Sequence, residues 1–203
     1  MPSRVLILFA HPALQKSRVN RRLIRAVQGL PNVTINDLYE EYPDFDIHVS
    51  REQELLLSHD VIVFQHPFYW YSSPAILKQW EDLVLEYGFA YGPEGIHLRG
   101  KLFLTAITTG GSSTSYGREG SNYYSIREFL APFEQTAKLC GMVYLPPFVI
   151  AGSLALNAEG EIAAAATLYR QTIEALRDNQ LDLAKLGETR FLNEIFQTAA
   201  AEV

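Results

Sequence analysis

The sequence predicts a doubly wound α/β domain, and three observations carry that prediction. Short apolar runs rich in β-branched residues alternate with longer stretches of helical period, and five such runs occur along the chain. The length of 203 residues, 48% of them hydrophobic, suffices to bury one substantial core but not two.

The expected strands are 4–9 (RVLILF), 33–38 (VTINDL), 60–65 (DVIVFQ), 102–108 (LFLTAIT) and 143–150 (VYLPPFVI). The first helix should start near Ser17, whose hydroxyl suits a cap, and its apolar face reads Val19, Leu23, Ala26, Val27 and Leu30. A second helix should open with Ser73 as cap and Pro74 as its first residue, bury Leu77, Trp80, Leu83, Val84 and Tyr87, and stop near Gly88. Further helices are expected at 121–140 and 159–183, with a short one near 189–200. One domain spanning 1–203 follows, in which 184–203 is a C-terminal helical extension that serves dimerisation or frays.

Composition narrows the function. A formal charge of −6 argues against a nucleic-acid binder, which needs a basic face to neutralise phosphates. Cys140 is the only cysteine, so no intramolecular disulfide can form and a cytoplasmic setting fits. The apolar run at the amino terminus ends at His11-Pro12, too soon for a signal peptide's core or a membrane span.

In an open parallel sheet, ligands bind beyond the carboxyl ends of the strands. The first exit, AHPALQKSRVN, places Ser17, Arg18, Val19 and Asn20 at a helix start, where free N–H groups and the helix dipole favour an anion. Lys16, Arg18, Arg21 and Arg22 crowd the same place against the dipole, which a bound phosphate would explain and a solvated basic patch would also allow. His11 lies beside them. The second exit sets Phe68, Tyr69, Trp70 and Tyr71 between Pro67 and Pro74, as a wall for a flat aromatic ligand or as a lid or subunit interface. The third, Thr108, Thr109, Gly110 and Gly111, lets backbone approach a ligand, because glycine has no side chain and accepts positive φ.

Competing signatures fail. Gly95–Leu102 imitates a phosphate-binding P-loop but ends in Leu102 where Ser or Thr is required, and it leads into a strand. No G-x-S-x-G elbow or G-x-G-x-x-G fingerprint occurs, and the five histidines have no metal-ligand spacing, so no metal is expected.

Several stretches combine into a resemblance: AHP with Ser17 and Asn20, LYEEYPDFDI at 38–47, 51–85 from REQELLL to DLVL, FAYG at 89–92, TTGG at 108–111, and CGM with PPF within 140–148. Together they make the sequence resemble the flavodoxin-like NAD(P)H quinone oxidoreductases, most closely the ancillary proteins of glutathione-regulated potassium-efflux systems, up to about residue 152. The resemblance implies a flavodoxin-like five-stranded parallel sheet in the order 2-1-3-4-5 with helices on both faces, in a homodimer. It also implies FMN or FAD held by His11, the Ser17–Asn20 turn, the Phe68–Tyr71 loop and the Thr108–Gly111 loop. The implied reaction is a two-electron ping-pong hydride transfer from NAD(P)H through the flavin to a quinone.

Better-known quinone reductases of this kind place a tyrosine after TTGG and a histidine six residues later. Here that spacing gives Tyr116 and Asn122, the catalytic candidates, and asparagine can donate a hydrogen bond but cannot take up a proton at neutral pH. Two rival readings stand beside the enzyme: an ancillary subunit docked peripherally on a membrane potassium/proton antiporter at the inner face of the membrane, and a one-electron carrier.

Overall fold

A computed structural model describes residues 1–156 and 158–196. Parallel strands β1 (Val5–Phe9), β2 (Val33–Asp37), β3 (Val61–Pro67), β4 (Leu102–Thr108) and β5 (Val143–Tyr144) lie in the order β2-β1-β3-β4-β5, and β6 (Phe148–Ile150) also pairs with β4. The expected order is therefore present, with one strand more than expected. That strand is half of the predicted 143–150 run: Leu102 pairs with Val143, Ala106 with Phe148, and Pro146-Pro147 interrupts the ladder because proline has no N–H to donate.

Alternation sorts each strand onto two apolar faces. Leu6 and Leu8 of β1 point into one cluster with Ile62 and Phe64 of β3, whereas Val5, Ile7 and Phe9 join Val61 and Val63 in the other. Helices α1 (Arg18–Val27) and α7 (Glu159–Arg177) cover the second cluster. The first is covered by α2 (Leu38–Glu41), α3 (Val49–Leu57), α4 (Ala75–Val84), α5 (Ile126–Phe129) and α6 (Ala131–Leu139).

Several helix bounds differ from expectation. Pro74 is the N-cap of α4 rather than its first residue, and the helix stops at Val84 with Leu85 as C-cap. Leu77, Trp80 and Val84 are buried as expected, but Leu83 points away from that face and Tyr87, beyond the helix end, is exposed. The expected 121–140 helix is two, divided at Leu130, because Pro132 denies the preceding turn a hydrogen bond. Helix α7 ends at Arg177, with Asn179 in the left-handed region two residues on. At the carboxyl end a 3-10 turn spans Leu183–Glu188, and the part of the expected 189–200 helix beyond residue 196 lies outside the described residues. Before that point the segment caps β6: Asn193 accepts from Val149 N through Oδ1 (3.1 Å) and returns a bond to Val149 O from Nδ2 (3.3 Å).

Helix α3, which joins β2 to β3, was not foreseen, since its buried face is led by a charged residue. Glu52 is fully buried, and its carboxylate accepts from Asn36 Nδ2 (2.8 Å), Tyr42 Oη (2.6 Å), Arg51 Nη1 (2.6 Å) and Trp80 Nε1 (2.8 Å). One carboxylate thus ties β2, the α2–α3 connection, α3 and α4. On β3, His66 is fully buried, and its Nδ1 donates to the Pro67 carbonyl (3.0 Å), which leaves the Nε2 lone pair without a partner among the described residues. Burial pushes its pKa down to about 4.

Replacing Glu52 by alanine strands several buried donors, so urea unfolding should give a loss of about 3–5 kcal/mol; an unchanged midpoint would refute the network's weight. His66 sets an acid limit, because the native state resists a proton that the unfolded chain accepts at about pH 6.5. Its contribution is whole above that pH and falls by about 3 kcal/mol as pH drops towards 4, a limb that unfolding of a His66→Leu variant across this range should lack.

Candidate functional site

Helix α1 begins where β1 has ended, and its first turn is closed by side chains. Ser17 caps it: the Ser17 hydroxyl oxygen accepts from Asn20 N (3.2 Å) and Asn20 Nδ2 (3.3 Å). With both acceptor positions taken, the hydroxyl proton is left to donate outward. Asn20 Nδ2 also donates to Thr108 Oγ1 (2.9 Å), which fastens the helix start to the end of β4. Asn20 Oδ1 is buried and has no partner among the described residues.

Of the four cations expected here, Lys16 and Arg18 line the cavity. Arg22 instead pairs with Glu159 of α7 (2.9 Å), and Arg21 is not in the lining, because the helical repeat turns both away from the strand ends. Arg18 Nη2 reaches the Leu156 carbonyl (2.9 Å) across the mouth. His11 is buried, and its Nδ1 accepts from Ala13 N (3.1 Å), which leaves the imidazole proton on Nε2. Burial lowers its pKa, so the ring is a neutral donor at pH 7.

The aromatic exit is a tight turn. Ser72 N donates to Tyr69 O (3.0 Å), with Trp70 at φ 48° and Tyr71 at φ 63°, the φ pattern of a type I′ turn. Glycine or asparagine normally occupies such positions, and aromatic residues there carry a cost of about 1–3 kcal/mol each. Phe68 is buried and its N–H donates to Thr108 O (2.8 Å), whereas Trp70 is 93% exposed. The Tyr71 ring stacks on Phe129 (4.9 Å, 20°) and its hydroxyl donates to Asn122 Oδ1 (3.1 Å).

In the third exit neither Gly110 nor Gly111 takes a positive φ, so of the two freedoms that glycine offers only the missing side chain is used. What each supplies is room: a Cβ on Gly110 would lie 3.1 Å from Leu154 Cδ1, and one on Gly111 3.4 Å from Ser115 Cβ. Thr109 stands behind the wall, its Oγ1 donating to Gly111 O (2.8 Å) and its N–H to Ile150 O (2.9 Å), and it lines neither cavity. Tyr116 is buried, and burial raises its phenol pKa while Thr109 acts against the shift.

The exits enclose two adjoining cavities. One of about 620 Å³ takes in His11, Ser17, Arg18, Val19, Asn20, Phe68, Tyr69 and Thr108. A second of about 340 Å³ is lined by Tyr71, Gly111, Tyr116 and Asn122. Phe68, Trp70 and Gly110 belong to both, so every expected site residue except Thr109 faces one trough. Ser153 and Leu154 were missed, although they follow the end of β6 and the strand-exit rule points there too. Ser115 and Ser121 were also missed, on a loop whose path the sequence does not signal. Among the described residues, no cluster of three or more His, Cys, Asp or Glu could hold a metal ion, and no helix is long and apolar enough to cross a membrane.

Known proteins share this fold. Residues 3–173 match the family described as having a flavodoxin-like fold. The glutathione-regulated potassium-efflux system ancillary protein KefG of Enterobacter sp. (strain 638) is 50% identical over 148 residues, covering 73% of this chain and 81% of that protein. The crystal structure of general stress protein 14 from Treponema denticola in complex with FMN superposes with a TM-score of 0.81 at 40% identity, over 85% of this chain and 99% of that one. An NADPH-quinone reductase from P. pentosaceus gives a TM-score of 0.75 at 33% identity, over 83% and 96%.

Asn20 is the joint of the anion end. Asn20→Ala should cost about 1–3 kcal/mol in urea unfolding of the ligand-free protein, and Ser17→Ala about 1 kcal/mol; an Asn20→Ala variant as stable as the parent would mean that the bridge to Thr108 carries nothing.

Proposed function

The chain belongs to the flavodoxin-like fold family, and from that membership we propose that it is a flavin-dependent NAD(P)H:quinone oxidoreductase. The observation that carries the reading is the single trough, which has anion-favouring groups at the Ser17–Asn20 end and aromatic side chains and Asn122 at the other. The FMN complex of the Treponema protein and the quinone reductase from P. pentosaceus support it.

The residues fit FMN. The outward Ser17 hydroxyl, the positive end of the α1 dipole, and the Lys16 and Arg18 side chains would take the phosphate. The orphaned Asn20 Oδ1 would accept from a hydroxyl of the ribityl chain, and the rings of Phe68, Tyr69, Trp70 and Tyr71 with the Cβ-free Gly110 and Gly111 would wall the flat ring system. Bound there, FMN would supply two-electron hydride transfer between NAD(P)H and a quinone in alternating half-reactions. His11 would donate from Nε2, Thr109 would brace the glycine loop, and Tyr116, kept neutral at pH 7, would offer a phenol in the second cavity. The exposed Trp70 at the mouth is the kind of apolar surface a second copy would cover, in keeping with a cytoplasmic homodimer.

A second reading is favoured by one finding, the likeness to a potassium-efflux ancillary protein: the chain would dock on such a system, with redox activity secondary.

Purified protein should carry a flavin that chromatography identifies as FMN. It should oxidise NADPH or NADH with 2-methyl-1,4-naphthoquinone and no other protein, giving parallel double-reciprocal lines. Full flavin occupancy without reduction by either nucleotide would sink the enzyme reading and favour the docking one.

A further inference from the structure

Helix α1 is stitched along one ridge to the chain that follows β6. Arg18, Arg22 and Ala26 stand four residues apart on the helix and so form a single row. At the first position Arg18 Nη2 donates to Leu156 O (2.9 Å), and at the second Arg22 pairs with Glu159, the first residue of α7 (2.9 Å). At the third, Arg170 of α7 donates from Nη1 to Ala26 O (3.0 Å). The β6–α7 connection is pinned from the glycine loop as well: Gly152 N donates to Gly111 O (2.8 Å) and Ser153 N to Thr109 O (2.8 Å). Gly152 takes φ 71°, which lets the chain double back between these two anchorages.

The start of this seam belongs to the larger cavity, which Arg18 lines from α1 and Ser153 and Leu154 line from the connection. Ahead of α1 the Leu14–Lys16 turn is closed on itself, with Lys16 N bonded to Ala13 O (3.0 Å) and Ser17 N to Leu14 O (2.9 Å). A flavin that ends in its phosphate can stop at this end of the cavity. One whose phosphate carries a second phosphate and a nucleoside needs a groove beyond it, and between α1 and the connection that groove is crossed by Arg18 and then by Arg22. Either flavin brings about two negative charges to this end at neutral pH, so charge does not tell them apart. Room does.

We infer that Arg18 is a specificity-determining residue: strapped to Leu156 O, it bars the seam between α1 and the β6–α7 connection, so that the site takes a flavin ending in a phosphate monoester and turns away the dinucleotide form. The inference rests on the oxidoreductase reading and names the residue by which that site selects its flavin. Arg18 then has two separable tasks, a charge for the phosphate and a bar across the way beyond it, whereas Lys16 has only the first.

The test is a competition between flavins. The full chain is equilibrated with equal excesses of FMN and FAD and freed of unbound flavin by gel filtration, and the bound flavins are released and resolved by chromatography. Melting temperature is recorded for each variant; Arg18 and Lys16 are both exposed, so the core is untouched. The parent should hold FMN over FAD by at least about tenfold, the worth of one hydrogen bond from a charged group. Arg18→Ala should lower flavin occupancy and bring the ratio close to one, because the bar goes with the charge. Lys16→Ala removes a cation from the same end and leaves the strap in place, so it should lower occupancy at the parental ratio. A parent that holds FAD as readily as FMN would overturn the inference. So would an Arg18→Ala variant with the parental ratio, or a Lys16→Ala variant that shifts the ratio as far as Arg18→Ala does. A folded parent that holds neither flavin would overturn the oxidoreductase reading instead.

Discussion

A parallel sheet covered on both faces leaves polar chemistry almost nowhere to go except the strand ends, and this constraint organises the molecule. Strands β1 and β3 are buried along their whole length, and β4 beyond its first residue, so groups meant to meet a ligand must wait until the chain leaves the sheet. Three crossovers leave from the same edge, and the bond from Asn20 to Thr108 holds two of them in register, as the bond from Phe68 N to Thr108 O holds the third. Thr108 is thus the point on which the anion end and the aromatic end converge.

That constraint also decides what was legible in the sequence. Continuous β-branched runs declared β1, β3 and β4 because both faces are apolar, and the three loops after them were legible by position. Helix α3 was hidden because its buried face holds Glu52, whose polarity erases the apolar period, although four donors make the burial sustainable. The basic cluster was overread: sequence adjacency put four cations together, while helical geometry sent Arg22 to Glu159. Ser115 and Ser121 were invisible because a loop with little regular structure carries no period.

Left-handed backbone falls in the aromatic turn rather than at Gly110 or Gly111. Trp70 and Tyr71 occupy left-handed backbone that their side chains disfavour, and the stack on Phe129, the turn bond to Tyr69 and the bond to Asn122 oppose its relaxation. Glycine in these positions would relieve the backbone and remove the rings. The fold accepts a locally costly conformation and obtains two large side chains at the trough, of which Tyr71 is held by Phe129 and Asn122.

The Asn193 amide bears on how copies of this protein can come together. By trading bonds with both backbone groups of Val149 it occupies the outer rail of β6, where another strand would otherwise add. With Leu192 N bonded to Pro147 O beside it, the segment closes β6 to edge-to-edge pairing, so an encounter between copies at β6 must use other groups.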